Sequence, residues 1–221
     1  KPKRYPLYVN VKMKNKMIIG LSGYAGSGKD LFCEVLCELR PEFKRKSLAD
    51  KLKIDLRDRI LKESNIDILN CSREEKDSVR DKLVDYAKEK RMDTDGRYWI
   101  SKLNQDVVKE KSSICITDIR YDDYLHDEVY WLKEELGGVL VHIQRYDIIN
   151  NNKKFFEAPN EEERRNDPRL KAKATYNLMW PSFTGTHEEI KKQAGGYTET
   201  FLAWLEKYNE AIKGQSTSME S

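Results

Sequence analysis

At 221 residues the chain is long enough to bury a substantial core, and this length suits one α/β domain with insertions better than two independent domains. Charged residues make up 36% of it, but 41 basic against 38 acidic side chains leave a net charge of only +3, too balanced to signal nucleic-acid binding. No apolar run approaches the ~18 residues that span a bilayer, no signal-peptide core is present and Cys33, Cys37, Cys71 and Cys115 form no CxxC pair, so a cytoplasmic protein with reduced core thiols is expected.

Residues 1–16 read as a basic arm in which Tyr5, Leu7, Tyr8, Val9 and Val11 are scattered among lysines, and they carry no functional assignment. The apolar run Met17-Ile18-Ile19-Gly20-Leu21 then predicts a strand, followed by Gly23-Tyr24-Ala25-Gly26-Ser27-Gly28-Lys29-Asp30 and a helix-patterned segment. Three glycines let successive backbone N–H groups turn inward around an anion, the next helix aims its positive N-terminal end at the same point, and Lys29 reaches terminal phosphates. The segment is a P-loop of the Walker A kind, with a nucleoside triphosphate as the expected ligand. Asp30 stands where Ser or Thr usually touches Mg²⁺. Two unit charges about 4 Å apart at an effective dielectric of about 20 interact by about 4 kcal/mol. Asp30 is therefore expected to face the metal or its water shell rather than bare phosphate.

Leu31, Val35, Leu36 and Leu39 predict a helix from Asp30 to Arg40, stopped by Pro41, and Leu48, Leu52, Leu56 and Ile60 predict another from Ser47 to about Lys62. Ser72-Arg73-Glu74-Glu75 is a capping box that opens a helix through about Lys90. Met92 to Gly96 is a polar turn, and Arg97 to Glu110 is helical with Trp99, Ile100, Leu103 and Val107 inward. Ile114 to Thr117 is a buried strand ending at Asp118, Tyr121 to Leu136 is expected to be helical, and Val139 to Ile143 is the next strand, which makes a parallel crossover unit. Asn150 to Pro168 is poor in core residues and reads as an insertion or mobile flap. Ala174 to Trp180 forms a late strand, Glu199 to Ile212 a closing helix, and 214–221 a disordered tail.

Asp118 ends a strand at the sheet edge where open α/β folds place ligands and where a P-loop protein holds its Mg²⁺-directed carboxylate. The bland reading of a lone strand-end Asp is a helix cap. Arg120, two residues on, points to the same side if the chain stays extended. Arg80, Arg91 and Arg97, with Lys88 between them, flank the middle helices; guanidinium groups bind phosphate bidentately and keep their proton. Singly these are ordinary surface cations, but around a helix–turn–helix they suggest a phosphate clamp or lid. Tyr86, Tyr98, Trp99 and Tyr121 offer aromatic faces to a base, although most such rings pack in the core. His187-Glu188-Glu189 lacks the second histidine of a zinc helix.

With these blocks in hand, the stretch from about Met17 to Arg145 resembles the phage-type deoxynucleoside monophosphate kinases. That family has a P-loop ending in GKD, a block like Ser47-Leu48-Ala49-Asp50-Lys51-Leu52-Lys53, a helix with a leading arginine, a segment like Asp95-Gly96-Arg97-Tyr98-Trp99, and a strand end like Ile116-Thr117-Asp118-Ile119-Arg120-Tyr121 followed by a Gly137-Gly138 pair. The resemblance implies a P-loop nucleoside monophosphate kinase-like three-layer fold over 17–213, with a central mostly parallel sheet and a helical acceptor or lid region at about 47–110. It implies ATP and Mg²⁺ as cofactors, with Gly23 to Asp30 holding ATP and Asp30 and Asp118 on the metal side. Lys29, Arg91, Arg120 and Asp118 become the catalytic candidates, and Lys53, Arg80, Lys88, Arg97 and Trp99 the acceptor candidates. The implied partners are ATP and a small nucleoside monophosphate, with no membrane or nucleic acid, and a homodimer is compatible with the sequence. Two departures stand out: Leu31 replaces the threonine that usually follows GKD, and the family's His-x-Ser-Glu block has no equivalent where Asn150 to Pro168 lies.

The expected reaction is ATP-dependent phosphorylation of a deoxynucleoside monophosphate to the diphosphate, a step of deoxynucleotide biosynthesis. The rivals are a P-loop kinase for another small phosphorylated or alcohol acceptor, and a non-catalytic nucleotide-binding protein.

Overall fold

A computed structural model describes residues 16–218, so residues 1–15 of the basic arm and 219–221 of the tail lie outside the described residues. The chain forms a mixed α/β fold around a central, mostly parallel sheet. In chain order the main elements are β1 (Ile18–Ser22), α1 (Lys29–Leu39), β2 (Phe43–Lys46), α2 (Leu48–Ser64), α3 (Arg73–Ser78), α4 (Arg80–Met92), α5 (Arg97–Lys109) and β3 (Ser113–Ile116). There follow α6 (Glu128–Tyr130), a π-helical turn at Trp131–Glu135, β4 (Val139–Ile149), β5 (Asn152–Phe155), α7 (Glu161–Lys173), β6 (Tyr176–Pro181) and α8 (His187–Ser218).

Strands β2, β3, β1, β4 and β6 lie side by side and parallel, while β5 pairs antiparallel with the far end of β4. Tyr146 of β4 stands opposite both Phe155 and Pro181, so β5 and β6 flank opposite edges of that strand.

The period-two alternation of the strands sorts the core into two faces. Ile19, Leu21, Cys115, Val139, Val141 and Ile143 pack against Phe32 and Leu36 of α1 and Phe201 and Leu205 of α8. Ile18, Ile114, Ile116 and Leu140 face Trp99, Ile100, Leu103, Trp131 and Leu132 on the opposite side. A third apolar cluster, Leu56, Ile60, Ile68, Val79 and Leu83, holds α2 against α4 away from the sheet. Helices on both faces make a three-layer arrangement.

Several elements differ from the sequence reading for identifiable reasons. Phe43–Lys46 carries almost no strand signal, yet it forms an edge strand because Phe43 alone is driven into the core and the cations around it stay at the surface. The helix expected from Ser72 to about Lys90 begins with its capping box intact, Ser72 Oγ accepting from Glu75 N at 3.1 Å. It then breaks at Val79, whose side chain turns into the α2–α4 cluster.

The helix expected over Tyr121 to Leu136 starts only at Glu128, and its first half, 121–127, is loop. Glu128 accepts hydrogen bonds from the N–H groups of Arg120 and Tyr121 at 2.7 and 3.1 Å, and Asp127 from those of Asp123 and Tyr124 at 2.9 and 3.3 Å. These carboxylates satisfy the donors that a helix would otherwise use.

The Asn150 to Pro168 segment is not a structureless flap. Asn150 and Asn151, both left-handed at φ 50° and 62°, make the two-residue turn of a β4–β5 hairpin. The later part enters α7, which is capped where Asn160 Oδ1 accepts from Glu163 N at 2.9 Å. α8 starts at His187, well before Glu199, and continues to Ser218, so 214–218 of the expected disordered tail are helical.

Candidate functional site

β1 and β3 deliver two loops to the carboxyl edge of the sheet, where open α/β folds place ligands. The loop after β1 is the glycine segment. Gly23, Gly26 and Gly28 have φ values of 125°, 80° and 97°, a conformation that side chains disfavour. At Gly23 a Cβ would collide with the carbonyl oxygen of Ile143, and at Gly28 it would fall 2.5 Å from the Trp180 ring. Trp180 also donates from its indole N–H to the carbonyl of Ser27 at 2.8 Å, so β6 braces the loop from beneath. α1 begins at Lys29 directly behind it, which aims the helix's positive end at the loop.

Lys29 Nζ donates to the carbonyls of Gly23 and Tyr24 at 2.6 and 2.8 Å. Burial lowers its pKa from the ordinary 10.5 to about 8, helped by the Arg120 guanidinium and opposed by Glu163, Asp30 and Asp118. Three other sequence candidates, Arg120, Asp30 and Asp118, are thus near enough to act on the Lys29 ammonium.

A lysine depressed in the folded chain contributes stability present above its ordinary value and lost as pH falls through about 8. An incoming polyphosphate reverses that preference. Binding of a triphosphate at pH 8.5 is therefore expected to take up a proton, and affinity to weaken as pH rises above 8. Calorimetry in two buffers of different ionisation enthalpy checks this; equal apparent enthalpies at pH 8.5 would contradict it.

A cleft opens between the loop and α7, lined by Gly23, Lys29, Arg120, Glu163, Asn166 and Asp167 among others. Asp167 is held from the core side: His142, fully buried on β4, meets Ser22 Oγ through Nδ1 at 3.1 Å and stands 3.5 Å from Asp167 through Nε2. Burial, with the Asp167 carboxylate beside it, pushes the Tyr24 hydroxyl up. Glu163 reaches the loop itself, its Oε2 accepting from Ala25 N at 2.7 Å. None of Glu163, Asn166 or Asp167 was singled out by sequence reasoning; the readable signal was the Asn160 cap followed by three glutamates.

Asp118 takes the bland role as well as the edge position. Its carboxylate accepts from Ser47 Oγ, Leu48 N and Ala49 N at 2.8, 2.9 and 2.8 Å, so it caps α2 from the end of β3. Asp118→Ala is expected to cost about 1–2 kcal/mol, read as a lower denaturant midpoint, with Asp118→Asn losing less; an unchanged midpoint would remove the capping role. Asp30 is 85% exposed and 4.0 Å from Arg45, at the solvent side of the loop.

The three helix arginines do not converge. Arg80 and Arg91 are at opposite ends of α4, about 16 Å apart at 1.5 Å per residue. Arg80 is exposed and pairs with Asp77 at 3.1 Å. Arg97 is buried and bidentate to Glu135 at 2.7 and 2.9 Å, and Trp99 is core, donating to the Ala87 carbonyl at 3.4 Å. Lys53 pairs with Asp50 on its own helix at 3.2 Å. Arg80, Arg97, Trp99 and Lys53 therefore share no common focus, each being packed in the core, held in an ion pair or placed on a separate helix end, whereas Lys88 and Arg91 line one cleft.

Arg91 is different: it holds buried Asp127 through 3.0 and 2.9 Å bonds and Glu128 through one of 3.3 Å, and its guanidinium lies 3.7 Å from the Tyr121 ring centre. Burial drives Glu128 up against the pull of that guanidinium. A second cleft of about 360 Å³ opens beside it, lined by Lys88, Arg91, Tyr121, Tyr124, Glu162 and Arg165 among others. The start of α7 separates the two clefts, and the Arg120–Tyr121 dipeptide contributes one residue to each.

Neither a protein-family model nor a curated protein sequence matches the chain. Among solved structures it is similar to dephospho-CoA kinase from Campylobacter jejuni, at 13% identity and a TM-score of 0.41 over 87% of this chain and 98% of that one. It is also similar to TT1252 from Thermus thermophilus, at 17% identity and a TM-score of 0.39 over 87% and 99% of the two chains.

Among the described residues no cluster of three or more His, Cys, Asp or Glu side chains is placed to hold a metal, and no helix is long and apolar enough to cross a membrane. All four cysteines are free. What the edge does offer is a glycine loop with a lysine and an arginine, next to a cleft in which Lys88, Arg91 and Arg165 alternate with Asp123, Glu161 and Glu162 beside two tyrosines.

Proposed function

We propose that the chain is a P-loop kinase that transfers the γ-phosphoryl group of ATP to a deoxynucleoside 5′-monophosphate. The observation that carries this reading is the pair of adjoining clefts, one built on the glycine loop with Lys29 and Arg120, the other lined by Tyr121, Tyr124, Lys88 and Arg165, the last two paired with Glu162 and Asp123, partners that an acceptor phosphate would replace. The deoxynucleoside class of acceptor is supported by the motif resemblance from Met17 to Arg145.

In this mechanism the loop N–H groups, the α1 N-terminus and Lys29 hold the donor phosphates, and Arg120 stands where charge develops on the moving phosphoryl group. An oxygen of the acceptor phosphate attacks the γ-phosphorus, the bond to the β–γ bridging oxygen breaks, and its electron pair leaves with ADP. The acceptor's second pKa is about 6, so at neutral pH it is already a dianion and needs no general base. Alignment and charge neutralisation are the protein's contribution. Mg²⁺ would come with the nucleotide and would supply charge neutralisation on its phosphates. Asp30, exposed at the loop, fits its outer water shell; Asp118, with three donors from α2, fits a supporting position better than direct ligation. That engagement also disfavours an alcohol acceptor, which would need Asp118 as a free base.

The test is a panel of deoxy- and ribonucleoside monophosphates with Mg·ATP, repeated with Lys88→Ala and Arg165→Ala. A diphosphate product, with acceptor KM raised in both variants and the KM for ATP little changed, is the expected result. ATP binding with no monophosphate phosphorylated would refute the proposed acceptor.

A further inference from the structure

We infer that Glu163 is a built-in competitor for the donor polyphosphate, a carboxylate that latches the glycine loop from α7 and must leave before the nucleotide can seat. The inference rests on the phosphate-binding reading of that loop. Its geometric basis is the 2.7 Å bond in which Ala25 N donates to Glu163 Oε2. Ala25 lies in the middle of the loop, where backbone N–H groups point at an anion, and a carboxylate there satisfies the same donor that a phosphate oxygen would take.

Three further features fit a latch. Lys29 is turned back onto the carbonyls of Gly23 and Tyr24 while Glu163 holds the loop. Asp167, one helical turn beyond Glu163, lines the same cleft, so two carboxylates of α7 face the space a polyanion would enter. The start of α7 is tied across the second cleft as well, where Tyr121 donates to Glu162 at 2.9 Å and Lys88 stands 3.6 Å from it. A ligand in that cleft that takes Lys88 and Tyr121 for itself loosens Glu162, and with it Glu163, so acceptor occupancy helps to free the donor loop.

α7 has a place to give way. Pro168 sits inside it, has no N–H to donate and weakens the helix there. Leu170, just beyond, is buried in the sheet-side core. Asn166 and Asp167, just before Pro168, are also buried, so the part of the helix free to move is its first turn, which carries Glu162 and Glu163.

Direct binding of ATP and of inorganic tripolyphosphate is measured by calorimetry on the full chain, its Glu163→Gln and Glu163→Ala variants, and a Glu199→Gln control on the exposed surface of α8. Both Glu163 variants are expected to bind each ligand about tenfold more tightly, while the control matches the parent chain. Tighter binding in the control as well would make the effect one of net charge and overturn the latch. Unchanged or weaker binding in both Glu163 variants, with the parent chain binding ATP through Lys29, would overturn the latch and leave the kinase reading standing. Absence of binding in every protein would overturn both.

Discussion

Lys29→Ala is expected to lower phosphoryl transfer by about 10²–10³-fold, the loss seen when one preorganised donor to a developing anion is removed. In the folded protein the ammonium is buried and pressed down to a pKa of about 8, so its charge is poorly satisfied until a polyanion arrives. The interaction is thus worth more with the transferring group present than without it, which is the condition for affecting rate. The fold should not suffer, because the variant removes a desolvated cation and two bonds to loop carbonyls that face the cleft. Single-turnover rates beside a thermal melt separate the two effects: a slow enzyme with an unchanged or raised midpoint is expected. Full activity would refute the phosphate role of the loop.

Arg91→Ala is expected to act through stability, costing about 3–5 kcal/mol. Its guanidinium is the cation for Asp127 and Glu128, both essentially buried, and those carboxylates in turn hold the backbone N–H groups of residues 120, 121, 123 and 124. Removing it strands two carboxylates beneath the loop that presents Arg120. Burial already raises Glu128, and a raised carboxyl contributes stability present below its ordinary value and lost as pH rises. Without Arg91 that trend steepens. The gap between variant and parent chain in urea unfolding should therefore be larger at pH 8 than at pH 5. A stable variant with only a raised acceptor KM would make Arg91 a substrate contact and not a strut.

How much of this could be read in advance depended on where the signal lay. The glycine loop was legible because each requirement is local: a strand, left-handed glycines, a lysine and a helix start within fourteen residues. The parallel sheet followed from apolar runs at Ile18, Ile114 and Val139 separated by helices. Asp118 was placed at the correct edge, but its partners on α2 are some seventy residues away in sequence, and spacing alone does not reveal a cap supplied from another element. The arginines misled for the same reason. Arg97 and Arg91 look like free cations until Glu135 and Asp127, about forty residues on, are seen beside them. α7 was hidden by Pro168 and by its lack of an apolar stripe, although Asn160 with three following glutamates is a sound helix start. The residues that shape the cleft from that side were missed with it.

The central claim is that the two clefts hold a donor and an acceptor at once, and following a labelled phosphoryl group tests it most directly. With ATP carrying ³²P at the γ-position, Mg²⁺ and each deoxynucleoside monophosphate in turn, the account expects label in the β-phosphate of one or more diphosphates, lost with Lys29→Ala. Label appearing only as inorganic phosphate, or staying in ATP with every acceptor, would contradict it.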